Sequence, residues 1–274
     1  MHRPGREVWQ VRGMDTAALL DLLKETAATV ITPRFRALAS EEVIEKSPGD
    51  LVTVADRESE VVITDALRAA YPDALILGEE ATAADPSLID AFAAAEHSFT
   101  IDPVDGTKNF VHGSPDHAVM LSELRGSEVV RALIWQPEHQ VAWVAEKGAG
   151  AYRNGERLSA VPRDTDPAQL RGATSSVLNS SAAPAELPPM QDSWWCAGVD
   201  YPNLATGTID YIAYRRDWPW DHAPGSLLVT EVGGHMGRLD GGPYDPRVLT
   251  PWLIAAASEE IYEAVRGPIA AALA

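Results

Sequence analysis

Two short apolar runs in this chain each end on acids, and that pattern restricts the fold more than any other feature. "ALIL" at 74–77 runs into Gly78-Glu79-Glu80, and "SFTI" at 98–101 runs into "DPVDGTKNF" at 102–110. Uncharged runs of this length, rich in aliphatic and β-branched residues, read as buried strands. The acids therefore stand where strands leave the core. Carboxylates gathered at neighbouring strand ends repel one another, and a fold that collects them calls for cations among them.

Pro103 stiffens the turn that aims Asp105 to the same side as Asp102, and Gly106 lets backbone come close to a ligand. Residues 106–109 are expected to open a helix whose unpaired amides can receive phosphate oxygens, with Gly106 and Thr107 as the cradle. Hard cations take oxygen ligands, and Mg²⁺ shares its shell between carboxylates, water and substrate oxygens. A calcium-binding EF-hand is excluded by spacing, because Pro103 and Val104 stand where that loop needs acids. Asp221 follows "WPW" at the head of the helix-like "APGSLLVTEVGG". It reads either as a helix cap or as a fourth arm of the same cage. Thr107 likewise reads as a cap or as part of the site.

Elsewhere, apolar spacing predicts a helix from Met14 to about Ile31, capped by Asp15 or Thr16 and ended by Pro33. A strand "EEVIEK", the turn "SPGD", a helix closed by Pro72, and a helix over Pro86–Ala95 follow. "HAVMLSELR", "EVVRALIWQP" and "VAWVAEKGAGAY" predict an antiparallel sheet, with Asn154-Gly155 as a hairpin turn. "NLATGTIDYIAY" is expected to be a helix, "LIAAA" a strand and 258–272 a helix. Ser180–Pro189 reads as a surface loop. Mixed strands and helices without strict alternation favour a layered α/β (α+β) sandwich over a barrel.

The chain carries 22 basic against 40 acidic residues, a net charge of −18. Such a surface repels polyanions, so neither a nucleic acid polymer nor an anionic membrane is an expected partner. Cys196 is the single cysteine, so no internal disulfide forms. Residues 1–13 lack an apolar core and read as neither signal peptide nor anchor. The expected location is the cytoplasm.

Taken together, "GEE" (78–80), "DPVDGTKNF" (102–110), "WDHAPGSLLVTEVGG" (220–234) and "KSPGDLVTVAD" (46–56) resemble the inositol monophosphatase family of Mg²⁺-dependent, lithium-sensitive phosphatases. The resemblance implies the layered αβαβα sandwich of that family and of fructose-1,6-bisphosphatase. It implies one catalytic domain over 14–274, with subdomains of about 14–155 and 156–274 behind an extension at 1–13. It implies a homodimer acting on a small soluble phosphate monoester such as inositol 1-phosphate, through water activated by two or three Mg²⁺. By the same resemblance Glu79, Asp102 and the Val104 carbonyl hold the first ion. Asp102, Asp105 and Asp221 hold the second, and a third, weaker ion joins through Glu79. Thr107 and Asp56 form the pair that orients the attacking water. Relatives sharing the cage include nucleotide or sulfonucleotide 3′-phosphatases and histidinol-phosphate phosphatases. A metal-binding regulator without catalysis is disfavoured by the retained Asp56 and Thr107.

Two positions depart from the family pattern. Pro224 replaces a small residue, a change a first helical turn tolerates. Tyr214 stands seven residues before Asp221, where inositol phosphatases carry a glutamate that reads sugar hydroxyls. Arg215 and Arg216 follow it, and their forked geometry suits a second anionic group on the substrate. The eight tryptophans, Trp194, Trp195, Trp218 and Trp220 among them, read as core and interface filler. His112 and His117 fit no metal pattern.

Overall fold

The computed structural model of the chain describes residues 13–47, 50–175, 178 and 182–274. Nearly all of the 1–13 extension, the centre of the "SPGD" turn, and the first two residues of the Ser180–Pro189 loop lie outside the described residues.

Helix α1 (Thr16–Thr26) starts where the Asp15 carboxylate accepts the Ala18 amide at 2.8 Å. It widens into a π-turn over Ala27–Ile31 and ends in a 3₁₀ turn that holds Pro33. Strands β1 (Val43–Ser47) and β2 (Asp50–Thr53) form an antiparallel hairpin, and Thr53 then caps α2 (Val54–Ala70). Next come β3 (Leu75–Gly78), α3 (Glu79–Ala84), α4 (Leu88–Ala94), β4 (His97–Asp105) and the single-turn α5 (Thr107–Val111). A run of antiparallel strands follows: β5 (Ala118–Arg125), β6 (Glu128–Gln136), β7 (Val141–Glu146), β8 (Gly150–Arg153) and β9 (Glu156–Arg157). Asn154 and Gly155, at φ 48° and 81°, make the tight turn between the last two. The chain finishes with β10 (Gly172–Thr174), β11 (Gln191–Asp192), α6 (Ala197–Thr206), β12 (Tyr211–Tyr214), α7 (Pro219–Thr230), β13 (His235–Arg238), β14 (Leu253–Ala256) and α8 (Glu259–Leu273).

The strands make a seven-stranded sheet in chain order β3 to β9, parallel only between β3 and β4, and a five-stranded sheet ordered β11-β10-β12-β14-β13. Alternation along each strand assigns the layers. In β5, Val119 and Leu121 pack with Leu19, Leu23, Ile63 and Leu67 of α1 and α2, while Ala118 and Met120 pack towards α6 and α7. In β12, Ile212 and Tyr214 face α6 and α7, while Tyr211 and Ala213 meet Ile261, Val265 and Ile269 of α8. The order of layers is helices, large sheet, helices, small sheet, helix: the expected αβαβα sandwich.

One element differs in kind from expectation. "NLATGTIDYIAY" is not a single helix, because α6 stops at Gly207, whose φ of 94° suits a C-terminal cap, and Tyr211–Tyr214 form a central strand. That strand is buried on both faces, so it has a continuous apolar run and no alternation to betray it.

Candidate metal and phosphate site

The register of β3 on β4 places the first acids. Gly78 pairs with Ile101, so Glu79 and Asp102 leave adjacent parallel strands at the same edge. Strand β4 does not stop there. Between Asp102 and Asp105 the ladder to β5 carries a bulge, which takes in Pro103 and re-aims the chain. The Asp102 carboxylate accepts the Val104 amide at 3.1 Å. Asp105 accepts the Gly198 amide at 2.5 Å and the Cys196 thiol at 3.0 Å. That approach leaves no room for a side chain at position 198, where a Cβ would lie 2.5 Å from the Cβ of Ala118.

Gly106, at φ 79°, turns the chain into α5, and its amide faces the Asp105 carboxylate. One residue on, the Thr107 hydroxyl lies 3.0 Å from Asp56 Oδ1 and 3.0 Å from the Val104 carbonyl. Asp56, fully buried in the first turn of α2, reaches back to the Thr53 amide at 2.9 Å. Burial pushes its carboxyl up to about 6, against the pull of its bonds to Thr53 and Thr107. Asp221 sits in the first turn of α7 behind Pro219, on a helix that crosses β4, β5 and β6.

These acids share one field. Burial, then the charges of Glu79, Asp105 and Asp221, holds the Asp102 carboxyl well above the usual range. Asp221 is raised by burial, Asp105 and Glu79, and is eased by a hydrogen bond with Asp102. Two carboxyl groups bond to each other only by sharing a proton, so this edge holds more negative charge than it can keep ionised unaided. One cation contributes locally: Lys46 Nζ on β1 reaches Glu79 and Glu80, both at 2.8 Å. Burial alone would lower the lysine, but Glu79 and Glu80 raise it above its ordinary value.

Among the described residues no three Asp, Glu, His or Cys side chains stand ready at coordination geometry. Glu79 is turned onto Lys46 and Asp105 onto Gly198. The donor set nonetheless fits a hard dication, being oxygen only, confined and short of positive charge.

Asp105, Glu79 and Asp221 open into a cleft of about 940 Å³, whose wall also carries Lys46, Tyr214, Arg215 and Arg216. The sequence-derived site residues thus come to one end of the molecule. Tyr214 is buried and gives its hydroxyl to Asp200 at 3.3 Å, while both arginines are exposed. His112 bonds the Lys108 carbonyl, and His117 packs between Phe35 and Phe110, so neither serves the cage.

Several neighbours were not singled out from sequence. Lys46 lies inside the quoted "KSPGDLVTVAD" segment, but nothing local says that β1 carries it to the acids. Glu60 on α2 accepts the Glu80 and Ala81 amides, both at 2.8 Å, and so fixes the start of α3. Asp200 holds the Trp194 amide at 2.8 Å. Trp195 is not core filler: it is 50% exposed and lines the cleft.

A sequence model of the inositol monophosphatase family matches residues 15–272. Inositol monophosphatase 1 of Mus musculus is 32% identical over 217 residues, covering 74% of this chain and 76% of that protein. The Nus factor SuhB of Pseudomonas aeruginosa is 32% identical over 221 residues, covering 76% and 80%. In three dimensions the chain superposes on an IMPase of Thermotoga maritima with a TM-score of 0.76 at 25% identity, covering 93% of this chain and 96% of that one.

Proposed function

Because this chain belongs to the inositol monophosphatase family and is a phosphoric monoester hydrolase, we propose that it hydrolyses a small soluble phosphate ester with Mg²⁺ at the acidic edge. The hydrogen bond between Thr107 and Asp56, set beside an acid cluster with more carboxylates than Lys46 can balance, carries this reading. Glu79, Asp102, Asp105, Asp221 and the Val104 carbonyl would hold two or three Mg²⁺. When bound, these ions supply Lewis-acid charge neutralisation and lower the pKa of water.

The chain's own residues do the rest. Asp56 accepts the Thr107 proton, which leaves the Thr107 oxygen lone pairs to receive a proton from water at the mouth of α5. A carboxyl raised to about 6 is nearly matched to that relay at neutral pH. Glu79 stands at the same edge, held by Lys46 at 2.8 Å. The Gly106–Thr107 turn receives phosphate oxygens as the helix opens.

A metal-binding regulator without catalysis would leave the relay without a purpose. The proposal extends to a cytoplasmic homodimer inhibited by Li⁺. The test is phosphate release from a panel of polyol, sugar, nucleotide and amino-alcohol phosphates, with Mg²⁺ and then with added Li⁺. Release that depends on Mg²⁺ and vanishes in Asp105→Asn is expected. No release from any ester, or release untouched by chelator, would overturn it.

A further inference from the structure

One stretch of the cleft lining is nearly free of charge: Thr82, Ala83, Pro86 and Ile89 from the α3–α4 segment, together with Trp218 and Trp220. Both pieces adjoin proposed metal ligands in the chain. Thr82 and Ala83 stand three and four residues after Glu79 in α3, one turn along the helix, and Trp218 and Trp220 run straight into Asp221. The alcohol of an ester held at the acidic edge lies within reach of them.

This lining is the open margin of a small core. Leu77 of β3, Phe92 of α4, Leu124 of β5 and Trp220 are buried together, and Ile89 and Trp218 pack against them while remaining partly exposed. Trp218 lies on Trp220 with ring planes 5° apart and centroids at 5.3 Å. A ring backed in this way keeps its place without a ligand.

The polar groups of the same stretch are already spent within the chain. The Thr82 hydroxyl donates to the Gly78 carbonyl at 2.6 Å, and the Pro86 carbonyl accepts the Ile89 amide at 3.3 Å. The Trp218 carbonyl accepts the Asp221 and His222 amides, both at 3.2 Å, and Pro86 has no amide to offer. A substrate hydroxyl laid here loses its water and finds little in exchange, whereas methylene carbons gain by leaving water.

Resting on the phosphatase reading above, we propose that Ile89, Trp218 and their neighbours form a shelf for an apolar alcohol, so that the chain prefers phosphate monoesters of alkyl alcohols to those of polyols. The phosphoryl group enters the acidic edge and the alkyl chain lies over Ile89 and Trp218. Hydrolysis forms a bond from a water oxygen to phosphorus and breaks the bond from phosphorus to the ester oxygen. The proton that water loses goes to that ester oxygen, so the products are inorganic phosphate and the alkyl alcohol.

The experiment measures kcat/KM with Mg²⁺ for ethyl, butyl and hexyl phosphate, and for glycerol phosphate and inositol 1-phosphate. A methylene covered on one side gains about half of full burial, so each should raise kcat/KM about twofold, and hexyl phosphate should exceed ethyl phosphate by roughly tenfold or more. Trp218→Ala and Ile89→Thr should each cut the ratio of hexyl to ethyl phosphate by about threefold, with Trp218→Phe retaining most of it. Ile89 lies on α4, away from the start of α7, so Ile89→Thr carries the test should Trp218→Ala fail to fold. Calorimetric binding of ethylphosphonate and hexylphosphonate, in which carbon replaces the ester oxygen, supplies a readout independent of turnover. The hexyl compound should bind about tenfold more tightly, and Ile89→Thr should narrow the difference. No gain along the alkyl series in either measurement, or a preference for the polyol esters over hexyl phosphate, overturns the shelf while leaving the phosphatase standing. Absence of release from every ester, with the tighter binding of hexylphosphonate intact, overturns the phosphatase and keeps the shelf.

Discussion

Thr107 has one hydroxyl proton and two acceptors at 3.0 Å, Asp56 Oδ1 and the Val104 carbonyl. Only the first can pass a proton onward, so Thr107→Ala should lower kcat by roughly 100-fold, the ordinary size of a lost proton relay. Mg²⁺ affinity, followed by titration calorimetry, should change little, because no carboxylate is removed. A fall in Mg²⁺ affinity that accounts for the lost rate would assign Thr107 to the metal shell instead. The same residues set the pH dependence of stability. Asp56 is raised to about 6 by burial, Asp102 is raised by burial and by Glu79, Asp105 and Asp221, and Asp221 is raised by burial and by Asp105 and Glu79. A carboxyl raised on folding binds its proton more tightly in the native state, so stability is fully present below the unfolded value and falls as pH rises through the folded one. With EDTA, the melting temperature should therefore fall as pH rises from about 4 through about 6, where folded Asp56 gives up its proton. With Mg²⁺ in excess the decline should flatten, because the cation replaces the proton as the neutralising charge. Identical pH profiles with and without Mg²⁺ would sink the cage.

At the scale of elements, α3 shows how a helix start can govern a proposed metal ligand. Glu79 is its first residue, and the Glu60 carboxylate on α2 takes the two following amides at 2.8 Å. Glu60→Gln leaves the size of the side chain but offers one acceptor where two are used. Mg²⁺ affinity should then drop by about tenfold, the usual effect of loosening a group behind a metal ligand. The activity should return at high Mg²⁺, and a variant with unchanged Mg²⁺ dependence would release Glu60 from that role. Elements differ in how plainly the sequence announces them. "ALIL" and "SFTI" were legible because each is a short apolar run closed by acids, and Asn154-Gly155 because its turn demands positive φ. The extension of β4 to Asp105 was not, since Pro103 reads as the end of a strand. It is accommodated here in a bulge, where the missing donor costs the ladder little. Tyr211–Tyr214 hid inside an expected helix because a strand packed on both faces has no period of two. Lys46 and Trp195 were beyond reach for another reason: their significance lies in which distant segment they meet.

For the whole molecule the central helical layer decides how the chain behaves. Leu227 and Leu228 of α7 and Tyr201 and Leu204 of α6 belong to one buried cluster that also includes Met120 and Ile134 of the large sheet and Ile212 and Leu253 of the small one. Neither sheet can keep its inner face dry without these helices, and Asp221 reaches the acidic edge only because α7 lies on β4. An independent boundary near residue 155 would cut through this shared core. The chain should therefore unfold in urea as one unit, with far-ultraviolet circular dichroism and tryptophan fluorescence giving coincident transitions. Leu227→Ala, which empties a site facing both sheets, should lower stability by ~2–5 kcal/mol and shift both signals together. Two separated transitions, or a Leu227→Ala shift confined to one of them, would divide the molecule into halves that fold alone. The acidic edge would then be a junction between domains, and the proposed Mg²⁺ would couple them instead of completing a single core.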